Sequence, residues 1–346
     1  MCAVIDLHNH MVTEDVVRFL EEHGQQLETT IEHRRDGRFA RIGASAERPL
    51  HARMCGTRAR LPDMDKQGVD VQAVSCTPFV MYPDADRELG IELARVNNDS
   101  LARLADEAPA LRRGSGAVFK RFVPIASVPL AFPEDAAAEL ARAVALGHRG
   151  VEIPPRAGEL ELDDRRLDPF WAAASAARVP VCIHPFDASP AGALSRYRLA
   201  PLAGNPMDTG LAAALLLLGG VFDRFPALRV ALYHGGGTLA ALLPRLDRGY
   251  EQFPETRAAA SQRPSAYIGQ LHVDTIALDP AWLRHLLSRF GPRRMVLGTD
   301  YPLPLGPRDP VGDILALALP AEDERRILGD NAARLLQRGA LEEPDA

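Results

Sequence analysis

Two histidines open the chain two residues apart, His8 and His10 in Ile-Asp-Leu-His-Asn-His, and three more metal-type residues follow far downstream. These are His184 in Val-Cys-Ile-His-Pro, His234 in Ala-Leu-Tyr-His-Gly-Gly-Gly, and Asp300 in Val-Leu-Gly-Thr-Asp-Tyr-Pro. Neutral imidazoles and carboxylates bind zinc-like ions at about 2.0–2.1 Å, and catalytic sites keep a position for water. Residues two apart on a strand face the same side, so His8 and His10 share one face with Cα atoms roughly 6.6 Å apart. The expected shell is His8, His10, His184 and Asp300 around one divalent ion. Zinc is the first choice and manganese the alternative. His234 titrates near neutrality and suits proton transfer with the water of such an ion, whose pKa the metal lowers. A fourth imidazole ligand is the rival role for His234.

Each residue also has a bland reading. A histidine pair can be hydrogen-bonded at a strand end, His184 can be a satisfied core histidine, and Asp300 can cap a helix. What favours the metal is coincidence, because each residue closes a different apolar run of strand length. Strands are expected near 3–9, 70–76, 121–128, 150–154, 179–184, 229–234, 271–277 and 294–300. Helical patterns fill 84–107, 134–147, 166–178, 207–224, 238–252 and 280–290. Strand alternating with helix means parallel βα units, and eight strands at this length suggest a closed (β/α)8 TIM barrel, whose active sites sit at the C-terminal strand ends.

Two segments fall outside that repeat. Residues 26–60 are long for a connection, and Asp36-Gly37 inside them is a hairpin signal, so a small β-insert over the barrel mouth is expected. Ala321 to Arg338 reads as a closing amphipathic helix before an acidic end. No internal repeat or linker divides the chain, so residues 1–346 are expected to form one domain.

Composition narrows the function classes. A net charge of -6 argues against non-specific nucleic-acid binding. The apolar run Leu211 to Val221 is too short to span a bilayer. Cys2, Cys55, Cys76 and Cys182 show no CxxC spacing, as expected of free thiols in a reducing compartment. With no signal-peptide pattern at the start, a cytoplasmic protein is expected. The fourth strand, Gly150-Val151-Glu152-Ile153-Pro154, offers no lysine for a carbamylated bridge, so one metal is expected, with Glu152 in a supporting or structural role. The Gly235-Gly236-Gly237 run lacks the P-loop lysine, which makes a phosphate cradle the weaker reading. Arg41 in the insert and Arg245, beyond His234, are candidates for pairing with substrate carboxylates.

Taken together, these motifs resemble the amidohydrolase-related family that includes 2-amino-3-carboxymuconate 6-semialdehyde decarboxylase and aromatic-acid decarboxylases. The resemblance spans nearly the whole chain. It rests on Asp-Leu-His-Asn-His, on Met64-Asp65-Lys66-Gln67-Gly68-Val69, and on Gly150-Val151-Glu152-Ile153. It continues through Ile183-His184-Pro185-Phe186-Asp187, Gly220 to Pro226, His234-Gly235-Gly236-Gly237, Arg263 to Gly269, and Leu297 to Gly306. It implies a single zinc on His8, His10, His184 and Asp300, with His234 handling the proton. It also implies Arg41 as a substrate-carboxylate arginine, and a homodimer in which Arg245 reaches the neighbouring site. The chain departs from the pattern at aromatic positions of the pocket, where Phe186, Arg198, Leu202 and Leu303 stand. A substrate of different size or charge is implied, with Arg198 as a further anion contact.

The expected activity is a metal-dependent, non-oxidative decarboxylation of a small unsaturated or aromatic carboxylic acid, with Asp300 as an alternative proton donor to carbon. Hydrolysis of an amide or lactone is the second reading. Non-catalytic metal binding is the third.

Overall fold

The computed structural model describes residues 3–43, 45, 47–112, 118–186 and 192–337. Cys2, Asp187, Arg338 and the acidic end lie outside the described residues. The alternation of strand and helix appears as expected. The strands are β1 (Ile5–Met11), β2 (Val71–Cys76), β3 (Phe122–Pro124, continuing as Ala126–Ser127), β4 (Val151–Ile153), β5 (Val181–Ile183), β6 (Val230–Leu232), β7 (Leu271–Asp274) and β8 (Met295–Val296). All pair in parallel, β1–β2–β3 in one sheet and β3 through β8 in sequence in the other. Ile125 bridges the two halves of β3, donating to Val74, while Ala126 donates to Gly150. Beyond β8 the chain runs on beside β1: Leu7 N–H donates to Leu297 O at 2.9 Å and His10 N–H to Tyr301 O at 2.8 Å. Backbone hydrogen bonds and an isolated parallel bridge between Asn9 and Tyr301 thus tie the segment after β8 to β1.

Side-chain alternation sets the two faces of this sheet. Val151, Ile153, Val181, Ile183, Val230 and Leu232 pack with Leu140, Phe170, Trp171 and Leu216 from the surrounding helices. Cys182, Ala231 and Tyr233, at the alternate positions, join Leu7, Ala73 and Ile125 in a second apolar cluster on the inner face. β1 departs from regular pairing, because its register against β2 slips between Asp6 and Asn9. That bulge places one extra residue at the start of the His-Asn-His motif.

The longer helices are α1 (Glu14–His23), α2 (Arg87–Glu107), α3 (Pro133–Ala145), α4 (Asp168–Ala177), α5 (Asn205–Leu218), α6 (Leu239–Gln252) and α7 (Pro280–Phe290). α1 went unrecognised in the sequence although its signals are present. Thr13 caps it by accepting from Val16 N–H, and Glu14 and Asp15 occupy the first turn. The helix expected over 207–224 ends at Leu218 and resumes only over Val221–Arg224. Gly220 breaks it at φ 68°, where a Cβ would meet Ala259 O at 2.4 Å. The closing helix runs from Ala321 to Leu335 with a wider π turn over Arg326–Asp330.

Within 26–60 the chain forms a three-stranded antiparallel sheet of Thr29–Arg34, Gly37–Ile42 and Arg48–Pro49. Its hairpin turns at Arg35-Asp36, as the Asp-Gly signal suggested. Ala40, Ile31, Ile42 and Leu50 pack with Met54, Phe79, Val80 and Leu303, residues that follow β1, β2 and β8. No helix of the described residues is long and apolar enough to cross a membrane.

Candidate metal centre

The five residues singled out by type converge. One ligand-capable atom from each of His8, His184, His234 and Asp300 lies within 4.8 Å of the others. His10 joins them, its Nε2 3.0 Å from that of His8 and 3.3 Å from Asp300 Oδ1. His8 Nε2 is 3.4 Å from the same oxygen, whereas His234 Nε2 stands 4.0 Å from Asp300 Oδ2. Donors bound to one ion at about 2.0–2.1 Å lie roughly 2.9–3.4 Å from each other for ordinary bond angles. The separations among His8, His10 and Asp300 Oδ1 fall in that window, and His234 approaches the other carboxylate oxygen at 4.0 Å.

The outer nitrogen of each inner histidine is occupied, which turns the other inward. His8 Nδ1 donates to Asp274 Oδ2 at 2.6 Å, His10 Nδ1 donates to Cys76 O at 3.0 Å, and His184 Nδ1 donates to Pro185 O. Such partners fix the tautomer and the ring direction of a metal-ligating histidine. His184 Nε2 and Asp300 Oδ1 are buried without a hydrogen-bond partner. Buried polar atoms normally find one, so two orphaned donors facing the same point fit a cation. His234 differs in exposure, its side chain 18% accessible while those of His8 and His10 are sealed.

Electrostatics leave His10 and His184 neutral beside one ionised carboxylate. Burial pushes His10 down to about 4 and His184 well below the usual range. Burial opposes the charge on Asp300, but contacts from His10 and His8 win and hold it well below ordinary carboxylates. For His8 burial is likewise outweighed, here by Asp274 and Asp300, and its pKa rises to about 10. A cation beside His8 Nε2 would take the place of that proton. Glu152, on β4, is buried with neither carboxylate oxygen hydrogen-bonded, and burial lifts it to about 8.

The backbone around the centre is specialised. His234 and the three glycines after it all have positive φ, and a Cβ on Gly237 would lie 2.2 Å from Pro206 O. Asp300 also sits at φ 54°, its N–H donating to His8 O at 2.8 Å.

Three residues of this centre escaped the sequence reading. Asp274 closes β7 as the other donors close their strands, a signal that was there to use. Tyr233 immediately precedes His234. Arg60 is fully buried and donates to His10 O at 2.6 Å and to Tyr301 O at 3.1 Å, tying together segments that carry two of the donors. No local pattern marks it.

The residues expected to bind substrate are more scattered. Arg41 is exposed and paired with Glu32 at 2.7 Å and Glu47 at 3.2 Å. Arg38 and Arg48 are half-buried arginines of the insert, Arg48 5.4 Å from the Phe79 ring. Arg245 is exposed on α6, and Arg198 is exposed at φ 59°. Phe186 is half-buried beneath the Arg156 guanidinium, 5.8 Å away.

The chain belongs to the amidohydrolase family, whose model matches residues 5–338. Several of its relatives are decarboxylases. It is 29% identical over 343 residues to 2-amino-3-carboxymuconate-6-semialdehyde decarboxylase of Dictyostelium discoideum, covering 96% of this chain and 91% of that one. The structure of 5-carboxyvanillate decarboxylase from Sphingomonas paucimobilis superposes with a TM-score of 0.80 at 25% identity, over 97% of this chain and 99% of the other. A dihydroxybenzoic acid decarboxylase from Polaromonas, crystallised with manganese and an inhibitor, shares the fold with a TM-score of 0.75 at 23% identity, over 97% of each chain. The chain is thus an enzyme of the amidohydrolase superfamily with a His/Asp cluster able to hold one divalent ion.

Proposed function

We propose that this enzyme removes CO2, without an oxidant, from a small unsaturated or aromatic carboxylic acid, using one divalent ion at the mouth of a closed (β/α)8 barrel. The observation that carries this reading is the convergence of His8, His10, His184 and Asp300, with the outer nitrogens of the three histidines already engaged, in a chain with decarboxylase relatives. These four are the proposed ligands. Zinc is the first assignment, and manganese, seen in the Polaromonas protein, is the alternative. When bound, the ion supplies Lewis-acid polarisation of substrate oxygens.

The protein's own groups do the rest. His234, partly open to solvent, gives or takes the proton at its Nε2. Asp300 is the alternative donor to carbon. The insert, packed against the strand ends, shelters the mouth. Arg41 would have to leave its two glutamates to hold a substrate carboxylate, so that role requires the insert to rearrange. Arg245, exposed on α6, is the proposed contact to a neighbouring site in a homodimer, and Phe186 and Arg198 are proposed to shape the pocket.

The test is product analysis. Metal-loaded enzyme given a panel of aromatic and dienic acids should release CO2, and the His8→Ala/His10→Ala double variant should bind no metal and release none. Turnover of amides or lactones without CO2 would move the assignment to hydrolysis. Full decarboxylation by the double variant would reject the scheme.

A further inference from the structure

We infer that Tyr233 is a positioning residue for the metal centre, setting the plane of the His8 imidazole. The inference rests on the proposed role of His8 as a ligand. The Tyr233 ring lies flat on that of His8, with centroids 3.8 Å apart and planes 7° from parallel. Its edge-on approach to His184, at 5.7 Å, brings a second proposed ligand against the same side chain. Tyr233 is wholly buried and belongs to the apolar cluster of the inner face.

The phenol completes the arrangement at the β1 bulge. Leu7 and His8 have no paired residue on β2, because the register slips between Asp6 and Asn9. The Tyr233 hydroxyl donates to Leu7 O at 2.9 Å, filling a bond at the residue just before the ligand. A buried carbonyl without such a donor is costly. Asp274 fixes one nitrogen of His8 but leaves the ring free to tilt about that bond, since torsions at an imidazole are broad. The stacked phenol ring removes the tilt and keeps Nε2 aimed at the ion.

Two substitutions separate ring from hydroxyl. Tyr233→Phe keeps the flat face, and Tyr233→Leu keeps apolar bulk without it. Val123→Ala, in the same apolar cluster, controls for a packing defect alone. Metal affinity is read by competition with a chromogenic chelator, and ligand geometry by the visible absorption of the cobalt-loaded protein. Tyr233→Leu should weaken binding about 10–100-fold, as loss of outer-shell support does, and shift the cobalt bands. Tyr233→Phe should stay within about threefold of wild type. Val123→Ala should lower the melting temperature with affinity unchanged. Should the leucine variant not fold, Tyr233→Met is read in the same way. Wild-type affinity and cobalt spectrum in the leucine or methionine variant would overturn the inference, while a wild-type chain that takes up no cation would overturn the metal reading itself.

Discussion

Asp274 accepts the Nδ1 proton of His8 at 2.6 Å across a separation of 266 residues. The same carboxylate accepts from the backbone N–H of His234 at 2.9 Å, Gly235 at 2.6 Å and Ile276 at 3.0 Å. One side chain therefore orients a proposed ligand and anchors the turn that carries the proposed proton carrier. Four donors require both of its oxygens, and asparagine offers only one. Asp274→Asn should weaken metal binding about 10–100-fold and lower turnover with it, measured by chelator competition beside steady-state kinetics. Unchanged affinity would remove Asp274 from the centre.

His234 and the ligands should separate in a metal assay. His234→Gln should retain one ion per chain by elemental analysis yet lose about 10²–10⁴ in kcat, the usual worth of a positioned acid or base. A variant that comes out metal-free would instead make His234 a ligand, the rival reading of the sequence.

Glu152 gives a pH signature. Its folded pKa of about 8 lies above the 4.5 of an ordinary glutamate. Below about pH 4.5 the carboxyl is neutral in both states. As pH rises towards 8 the unfolded chain ionises while the folded one holds its proton, so stability falls through this window. Glutamine stays neutral throughout. In metal-free protein the melting temperature of Glu152→Gln should therefore gain on wild type between pH 5 and pH 8. Parallel curves would show that Glu152 is already ionised in its pocket.

Gly237 is constrained in two ways, by φ 59° and by the 2.2 Å approach of a Cβ to Pro206 O. Gly237→Ala should cost about 1–3 kcal/mol from backbone strain, more if the backbone cannot shift. Denaturant unfolding would measure it, and a loss below about 0.5 kcal/mol would mean that the turn relaxes freely.

Much of this was written in local pattern. Apolar runs closed by His8, His10, His184, His234 and Asp300 announced both the strands and the chemistry, because strand period and donor type are properties of a few adjacent residues. The Asp36-Gly37 hairpin was legible for the same reason. α1 was legible as well, from its Thr13 cap and the acidic Glu14 and Asp15 of its first turn.

The metal-type residues and the apolar runs they close were thus readable from sequence alone. Which atoms turn inward, and what holds them, was decided by tertiary structure. The bulge in β1, the reach of Asp274 across the sheet, the stack of Tyr233 on His8 and the burial of Arg60 join residues from different strands and loops. Their contacts depend on register between strands, which no local window encodes. Arg41 shows the converse. Its type and place in the insert suggested an anion site, but Glu32 and Glu47 come beside it only once the antiparallel sheet has formed, and their charges engage it first.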